Sequence, residues 1–254
     1  MIMFYFSGTG NSRYVAELFS KNMGAACHSI EENLDFESLI RAEDVVGFCY
    51  PVYFSGVPRI MREFAAQQME ALEGKKVIIF CTQLWLSGDG SMKFAMLFPK
   101  NHIDVIYTAH FFMSNNMNDL PLFPMASERR IAKSQLRVQA KMETVCRNIR
   151  GGIVKKRGFS IPARIVGLFQ FTSVDAIERR ANRAVSIDSD CTKCGICVKI
   201  CPMDNFSIDD AGVRHNHNCT ICYRCINACP EKAITVLLSG KIKKQYRGIP
   251  AQTE

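Results

Sequence analysis

Eight cysteines near the carboxyl end could together hold redox-active metal clusters. They lie in two runs, CTKCGICVKICP from Cys191 and CTICYRCINACP from Cys219, and each run has the spacing C-x2-C-x2-C-x3-C-P. Thiolates with this spacing are typical ligands of [4Fe–4S] clusters. Three thiolates on one tight loop can reach three corners of a cubane. The fourth thiolate, set apart by a helical turn and a proline, reaches the neighbouring cubane.

The two runs therefore predict two clusters with crossed ligands. The predicted sets are Cys191, Cys194, Cys197 and Cys229 for cluster 1, and Cys219, Cys222, Cys225 and Cys201 for cluster 2. A shift of 28 residues also superposes Pro202 on Pro230 and Gly212 on Gly240, which indicates an internal duplication. Zinc binds C-x2-C pairs too, but zinc sites take four ligands from two pairs and rarely show the x2-x2-x3-Pro pattern twice.

A second candidate site is the amino-terminal turn SGTGNS, which consists of Ser7, Gly8, Thr9, Gly10, Asn11 and Ser12. The apolar run at residues 1–6 predicts a buried parallel strand, and the apolar spacing that follows the turn predicts a helix. Free backbone N–H groups and the positive end of a helix dipole meet at such a turn. Glycines allow close approach, and hydroxyl groups add donors. The turn therefore predicts a phosphate site, with an ordinary capped turn as the alternative.

The residues around this turn exclude some classes of phosphate ligand. A G-x-x-x-x-G-K-[ST] site needs a lysine that is absent, and a G-x-G-x-x-G fingerprint needs a third glycine where Arg13 stands. A turn of the form S-x-T-G-N-[ST] without lysine resembles the FMN-phosphate loop of flavodoxins. The resemblance implies FMN and a doubly wound α/β fold with a five-stranded parallel sheet in the order 2-1-3-4-5. Strand-like apolar runs agree with it, near residues 1–6, 26–30, 44–50, 76–82 and 103–112.

The loops after the third and fourth strands are then expected to flank the flavin ring. The candidate ring contacts are Pro51, Val52, Tyr53 and Phe54 in the first loop, and Thr82, Gln83, Leu84, Trp85 and Gly88 in the second. The stretch from Met113 to Asn116 looks like the third loop of the family near the ring. Packing residues are the alternative for Tyr53 and Trp85, but aromatic rings in both loops favour flavin contact.

The double cysteine motif and the amino-terminal turn together resemble the fused flavodoxin–ferredoxin proteins sometimes called EFR1-family ferredoxins. The predicted organisation is a flavodoxin-like FMN-binding domain at residues 1–151, a basic connector at 152–184, a small α+β dicluster ferredoxin domain at 185–240 and a basic tail at 241–254. The resemblance implies FMN and two [4Fe–4S] clusters as cofactors. It also implies oxygen sensitivity and an anaerobic source.

The positive charge of the chain is local. The formal net charge is +8, and residues 126–185 alone hold 14 Lys or Arg against 4 Asp or Glu. The connector within this stretch mixes basic and apolar residues, which suits an acidic redox partner or peripheral contact with an anionic membrane surface, with a solvated connector as the alternative. No nucleic acid is expected. The lack of a signal peptide and of a long apolar run predicts a soluble cytoplasmic protein.

Flavin and clusters on one chain predict electron transfer. A flavin exchanges electrons singly or in pairs, and a cluster passes one at a time. The first hypothesis is a low-potential carrier that moves electrons between the clusters and FMN and exchanges them with a ferredoxin-type donor or an acceptor oxidoreductase. The alternative is a flavin-dependent reductase of a small organic acceptor, but the sequence offers no acid/base pair for such a substrate.

Overall fold

The amino-terminal part of the chain is built around one parallel sheet. The computed structural model describes residues 1–53, 56–84, 88–119, 125–169, 174–238 and 240–249. The strands are β1 (Ile2–Tyr5), β2 (Ala26–Ser29), β3 (Val45–Pro51), β4 (Lys76–Gln83), β5 (Asp104–Phe112) and β6 (Lys155–Lys156). The helices are α1 (Asn11–Met23), α2 (Phe36–Arg41), α3 (Arg59–Gln67), α4 (Gly90–Ala95) and α5 (Glu128–Arg150). The strand order is β2-β1-β3-β4-β5-β6, and every pairing is parallel.

The sheet has six strands, so the prediction of five was wrong. The sixth strand, β6, pairs with β5 through Lys155 beside Tyr107 and Lys156 beside Thr108. It is two residues long, and both of its lysines are exposed. So short a strand has neither an apolar run nor an alternating pattern, and its pairing follows from where α5 returns the chain to the sheet edge. The order of the first five strands is as predicted.

Apolar residues cover both faces of this sheet, as parallel sheets require. Phe4 and Phe48 belong to the core on the side of α2, α3 and α4. Phe19 and Phe80 belong to the core on the side of α1 and α5. Because both faces are buried, the carboxyl edge of the sheet is where the strand-end loops can form a site.

The rest of the described chain forms small helices and short antiparallel pairs. It contains α6 (Ile161–Phe169), α7 (Val174–Ala184), β7 (Ser186–Ile187), α8 (Ile196–Ile200), β8 (Phe206–Asp209), β9 (Gly212–His215), α9 (Arg224–Ala228) and β10 (Ile234–Thr235). Strand β7 pairs with β10, and β8 with β9. The predicted connector at 152–184 thus contains β6, α6 and α7. Among the helices that the structure describes, none has the length and apolar character needed to cross a membrane.

The backbone of the cysteine-rich part repeats every 28 residues. Left-handed φ angles occur in pairs with this separation: Lys193 and Ile221, Gly195 and Tyr223, Asp204 and Lys232, Gly212 and Gly240. Six members of these pairs lie between or just after the cysteines, where a left-handed residue makes the sharp turn that places successive thiols on one side. The duplication seen in the residue types is therefore a duplication of backbone conformation.

Candidate cofactor sites

The first cysteine quartet surrounds a small cavity. Cys191, Cys194, Cys197 and Cys229 all line it, so three thiols come from the first run and one from the second. The pKa of the Cys197 thiol is raised, mainly by burial, with further contributions from the other three thiols of the quartet. The structure thus brings together the four residues predicted for cluster 1.

The second quartet is assembled in the same crossed way. Burial holds the pKa of the Cys225 thiol well above its ordinary value, and Cys222, Cys219 and Cys201 raise it further. Cys201 belongs to the first run, and the other three belong to the second. The structure thus brings together the four residues predicted for cluster 2.

The surroundings of the thiols fit anionic iron–sulfur clusters. Backbone N–H groups point at the sulfurs: Asn205 donates to Cys201 Sγ, Ile221 to Cys219 Sγ and Ala233 to Cys229 Sγ, each at 3.3 Å. Donors of this kind stabilise negative charge on cluster ligands and set the reduction potential. Buried thiols with raised pKa values resist deprotonation in water, but metal coordination removes the proton outright. The buried thiols Cys197, Cys219, Cys222 and Cys225, whose pKa values are raised, therefore suit metal coordination.

The SGTGNS turn connects β1 to α1 as predicted. Gly10 precedes α1 with φ 94°, and no described side chain caps the helix. The N–H of Gly10 donates to Ser7 Oγ at 3.1 Å, and Ser12 Oγ lies 2.7 Å from Thr82 Oγ1 at the end of β4. The first N–H groups of a helix have no partner inside it. The turn therefore offers backbone and hydroxyl donors that fit the phosphate of a mononucleotide.

Most of the residues predicted to contact FMN line one cavity at the carboxyl edge of the sheet. They are Ser7, Gly8, Thr9, Asn11, Ser12, Pro51, Val52, Tyr53, Thr82, Gln83 and Leu84. Gly10 instead lines a neighbouring cavity of about 680 Å³ on the side of β2. Gly88 lies against α6, where an added methyl group would overlap the backbone of Gly167 and Ala163. Phe54 and Trp85 lie outside the described residues.

The loop after β5 completes this cavity. Residues 113–117 line it, and two asparagines join it to the phosphate turn. Asn11 Nδ2 donates to the carbonyl of Ser114 at 2.9 Å, and Asn116 Nδ2 donates to Thr9 Oγ1 at 3.0 Å. Strand order alone predicts that this loop is near the ring. The bonds to the turn depend on side-chain positions that the spacing does not specify.

Arg224 ties the cluster 2 loop to the phosphate turn. It donates to the carbonyl oxygens of Ser7 at 2.8 Å and Gly8 at 3.2 Å, and both terminal nitrogens lie 2.7 Å from the carboxylate of Glu31. Gly8 lies so close to this loop that an added methyl group would overlap the carbonyl oxygen of Cys222. Burial raises the pKa of the Cys222 thiol to about 11, and the Arg224 cation opposes this rise.

The predicted tail also folds onto the phosphate turn. Tyr246 is 4 % exposed, and its hydroxyl donates to Asn11 Oδ1 at 2.6 Å. Arg13 donates to the carbonyl of Ile249 at 3.1 Å, and Gly248 packs closely on the carbonyl of Thr9. This contact was not predicted, because the prediction of a basic tail rested on charge alone. The apolar Ile242, Tyr246 and Ile249 among the lysines were the available signal.

Asp119 joins the loop after β5 to the carboxyl-terminal part. It is 8 % exposed, and its Oδ2 accepts hydrogen bonds from the N–H groups of Val236 at 3.0 Å, Leu237 at 2.7 Å and Leu238 at 3.3 Å. A carboxylate that accepts several backbone bonds at a buried position is a strong anchor. Nothing in the local pattern around Asp119 predicts this role.

Replacing Asp119 by alanine is expected to destabilise the protein by about 3 kcal/mol, because two buried N–H groups and one partly buried N–H group lose their acceptor. Asp119→Asn keeps one acceptor oxygen and should cost about 1 kcal/mol. Anaerobic urea unfolding of the holoprotein, followed by loss of cluster absorption, measures both changes. Asp210→Ala, which removes an exposed carboxylate in the carboxyl-terminal part, is the control. Equal midpoints for Asp119→Ala and the control would contradict the anchoring role.

Two family models match separate parts of the chain. A flavodoxin domain matches residues 2–117, and a 4Fe–4S dicluster domain matches residues 190–234. No curated protein matches the chain. These two domains support FMN and two [4Fe–4S] clusters as cofactors, and a redox electron-transfer role.

Solved structures of flavodoxin-like proteins cover the amino-terminal half. Two-electron reduced flavodoxin of Megasphaera elsdenii is 22% identical, with 56% of this chain and 99% of that chain covered and a TM-score of 0.37. Oxidised Flavodoxin 2 of Bacillus cereus is 17% identical, with 56% and 97% covered and a TM-score of 0.36. General stress protein 14 of Treponema denticola, in complex with FMN, is 12% identical, with 57% and 97% covered and a TM-score of 0.40. The assignment rests on the two family matches: the chain carries a flavodoxin domain and a 4Fe–4S dicluster domain, the composition of a fused flavodoxin–ferredoxin protein.

Proposed function

We propose that this chain is an electron carrier of the EFR1-family kind, in which electrons pass within one molecule between two [4Fe–4S] clusters and FMN. The supporting observation is the direct contact between the loop that holds cluster 2 and the turn that holds the FMN phosphate. Gly8 packs on the Cys222 carbonyl, and Arg224 bonds the Ser7 and Gly8 carbonyls. When bound, the clusters supply single-electron steps and the flavin accepts or releases one or two electrons.

Tyr53 is the residue that best fills the space between cluster 2 and the flavin cavity. It lines the flavin cavity and also belongs to the apolar core around the cysteines. It is 8 % exposed, and its hydroxyl has no hydrogen-bond partner among the described residues. Burial holds the pKa of Tyr53 well above its ordinary value, with Cys222 as the next contribution. The ring therefore keeps water out of the region between the cluster 2 cysteines and the flavin cavity.

The different burial of the two cysteine quartets suggests the order in which electrons pass between a partner protein, the two clusters and FMN. Cys219, Cys222 and Cys225 are buried beside the flavodoxin domain, whereas Cys194 of the other quartet is exposed. We assign the cluster 1 edge at Cys194 to the contact with a redox partner protein. Cluster 2 then relays electrons between this edge and FMN. Ligation by free thiolates agrees with a cytoplasmic, reducing location.

Anaerobic stopped-flow measurement on the holoprotein tests the relay. Substoichiometric reduced methyl viologen is mixed with the protein, and cluster and flavin absorption are followed separately. We expect cluster bleaching first, then flavin reduction in a first-order step with a rate that does not change with protein concentration. A flavin rate proportional to protein concentration would indicate transfer between molecules and would contradict the relay. The Tyr53→Leu variant should slow flavin reduction and leave cluster bleaching unchanged. Tyr107→Phe is its control, because Tyr107 is a buried tyrosine away from both sites.

A further inference from the structure

Helix α6 presents an apolar face to solvent. Ile161, Ile165 and Leu168 lie at positions i, i+4 and i+7 of this helix and are 72%, 47% and 74% exposed. The opposite face is made of small residues: Gly167 packs on Asp89 and Ala163 on Gly88, directly after the β4 loop. The helix is therefore fixed to the protein through one side, and its large aliphatic side chains point outward. These three side chains are called the α6 face below.

The stretch of chain that carries the α6 face is basic, and the carboxylate that packs against the helix, that of Asp89 at Gly167, is paired with Lys93 at 3.4 Å. Residues 151–174 contain Lys155, Lys156, Arg157 and Arg164 but no Asp or Glu. All four cations are exposed, and none forms an ion pair with another described residue.

Two of these cations act on a half-buried lysine of α5. The pKa of Lys141 is lowered to about 8, first by burial and then by Arg157 and Lys155. Arg157 and Lys155 therefore lie near enough to Lys141 to disfavour its positive charge, in addition to the larger effect of burial. An anionic surface placed against these cations would relieve this repulsion.

We propose that the α6 face and its surrounding cations dock the protein on an anionic lipid surface. Aliphatic side chains on one face of a helix, flanked by lysines and arginines, are the features of helices that lie in the headgroup region. Each Lys or Arg near such a surface favours binding. Protein interfaces instead concentrate aromatic residues and methionine in their buried centre, and the α6 face has neither. An acidic protein partner is therefore the less favoured occupant.

Docking in this way would turn the flavin side of the protein toward the lipid. The α6 backbone contacts Gly88, in the predicted ring-contact loop after β4, and Asp89, which follows Gly88. The inference does not depend on the direction of electron flow or on the relay proposed above. Lipid binding and flavin reduction are measured separately, so failure of one leaves the other standing.

Vesicle co-sedimentation of the holoprotein tests the docking. Vesicles of phosphatidylcholine with phosphatidylglycerol are compared with vesicles of phosphatidylcholine alone, at low and at physiological salt. We expect binding to the anionic vesicles, weakened by salt. The triple variant Ile161→Ser, Ile165→Ser, Leu168→Ser should bind about 100-fold more weakly, because three aliphatic contacts are lost. Ile208→Ser, a 45% exposed residue on β8 in the dicluster domain, should bind like the unmodified protein.

A second variant covers the case in which the triple variant does not fold. Lys155→Ser with Lys156→Ser should weaken binding about 25-fold, since each lysine near an anionic surface contributes about a factor of five. Unchanged flavin and cluster absorption establishes that each variant is folded. Equal binding to both kinds of vesicle, or none at low salt, would overturn the proposal. So would concentration-dependent dimerisation without lipid that the triple variant abolishes, since the α6 face would then bind a second copy.

Discussion

Replacing Arg224 by methionine is expected to weaken FMN binding about 100-fold and to make the potential of cluster 2 more negative. The variant leaves the carbonyl oxygens of Ser7 and Gly8 without their donor and leaves Glu31 without its cation. Arg224 and Glu31 are 23% and 26% exposed, so solvent reduces the cost below the roughly 3–5 kcal/mol of a fully buried broken pair. The expected loss of binding free energy for FMN is then about 2.7 kcal/mol, which corresponds to a factor of about 100 in affinity.

The change in potential has a separate cause. A guanidinium beside Cys222 favours the more negative, reduced state of the cluster that this thiol holds, and its removal disfavours that state. Equilibrium titration with FMN measures the first effect, and an anaerobic redox titration followed by paramagnetic resonance measures the second. Arg214→Met is the matched control, because Arg214 forms an exposed ion pair with Asp209 in the same domain. The idea fails if Arg224→Met and the control give the same affinity and potential.

Replacing Gly8 by alanine should increase the distance between cluster 2 and FMN. The new methyl group would overlap the Cys222 carbonyl oxygen, which is backbone and cannot rotate away. Overpacking of this kind costs about 1–3 kcal/mol, and the cluster 2 loop must move off the phosphate turn to relieve it. We therefore expect slower cluster-to-flavin transfer by about tenfold or more, with cluster 1 unaffected, as measured by the anaerobic stopped-flow experiment.

Gly151→Ala is the control for this change. Gly151 has φ −80°, and an added methyl group would find its nearest neighbour at 3.4 Å, so this variant needs little adjustment. FMN affinity should fall in Gly8→Ala as well, because the displaced loop carries Arg224 with it. An unaltered first-order flavin rate in Gly8→Ala would argue against direct contact as the basis of the relay.

The residues that local spacing specifies were the easiest to predict. The two cysteine runs and the SGTGNS turn each lie within a few residues, so their chemistry depends on backbone turns that a short sequence determines. The parallel strands were visible because burial on both faces requires continuous apolar runs. Strand β6 was not predicted, because Lys155 and Lys156 do not form an apolar run.

The contacts between the two domains could not be predicted in this way. Arg224 lies between two cluster cysteines, and its partners Ser7 and Gly8 are more than 200 residues away in the chain. Asp119 and Tyr246 likewise bind partners that no periodicity connects to them. These bonds follow from how two folded units fit together. Residues 241–254 were predicted only as a basic tail, and their charge gave no indication that Tyr246 would be buried.

The unequal exposure of the cysteines has a consequence for handling in air. Cys194 is open to water, and Cys219, Cys222 and Cys225 are enclosed. Dioxygen and chelators diffuse through water, so they reach the outer cubane first. Decay should then proceed in two stages, in which the quartet that includes Cys194 loses its iron first and the quartet of Cys219, Cys222 and Cys225 keeps its iron longer.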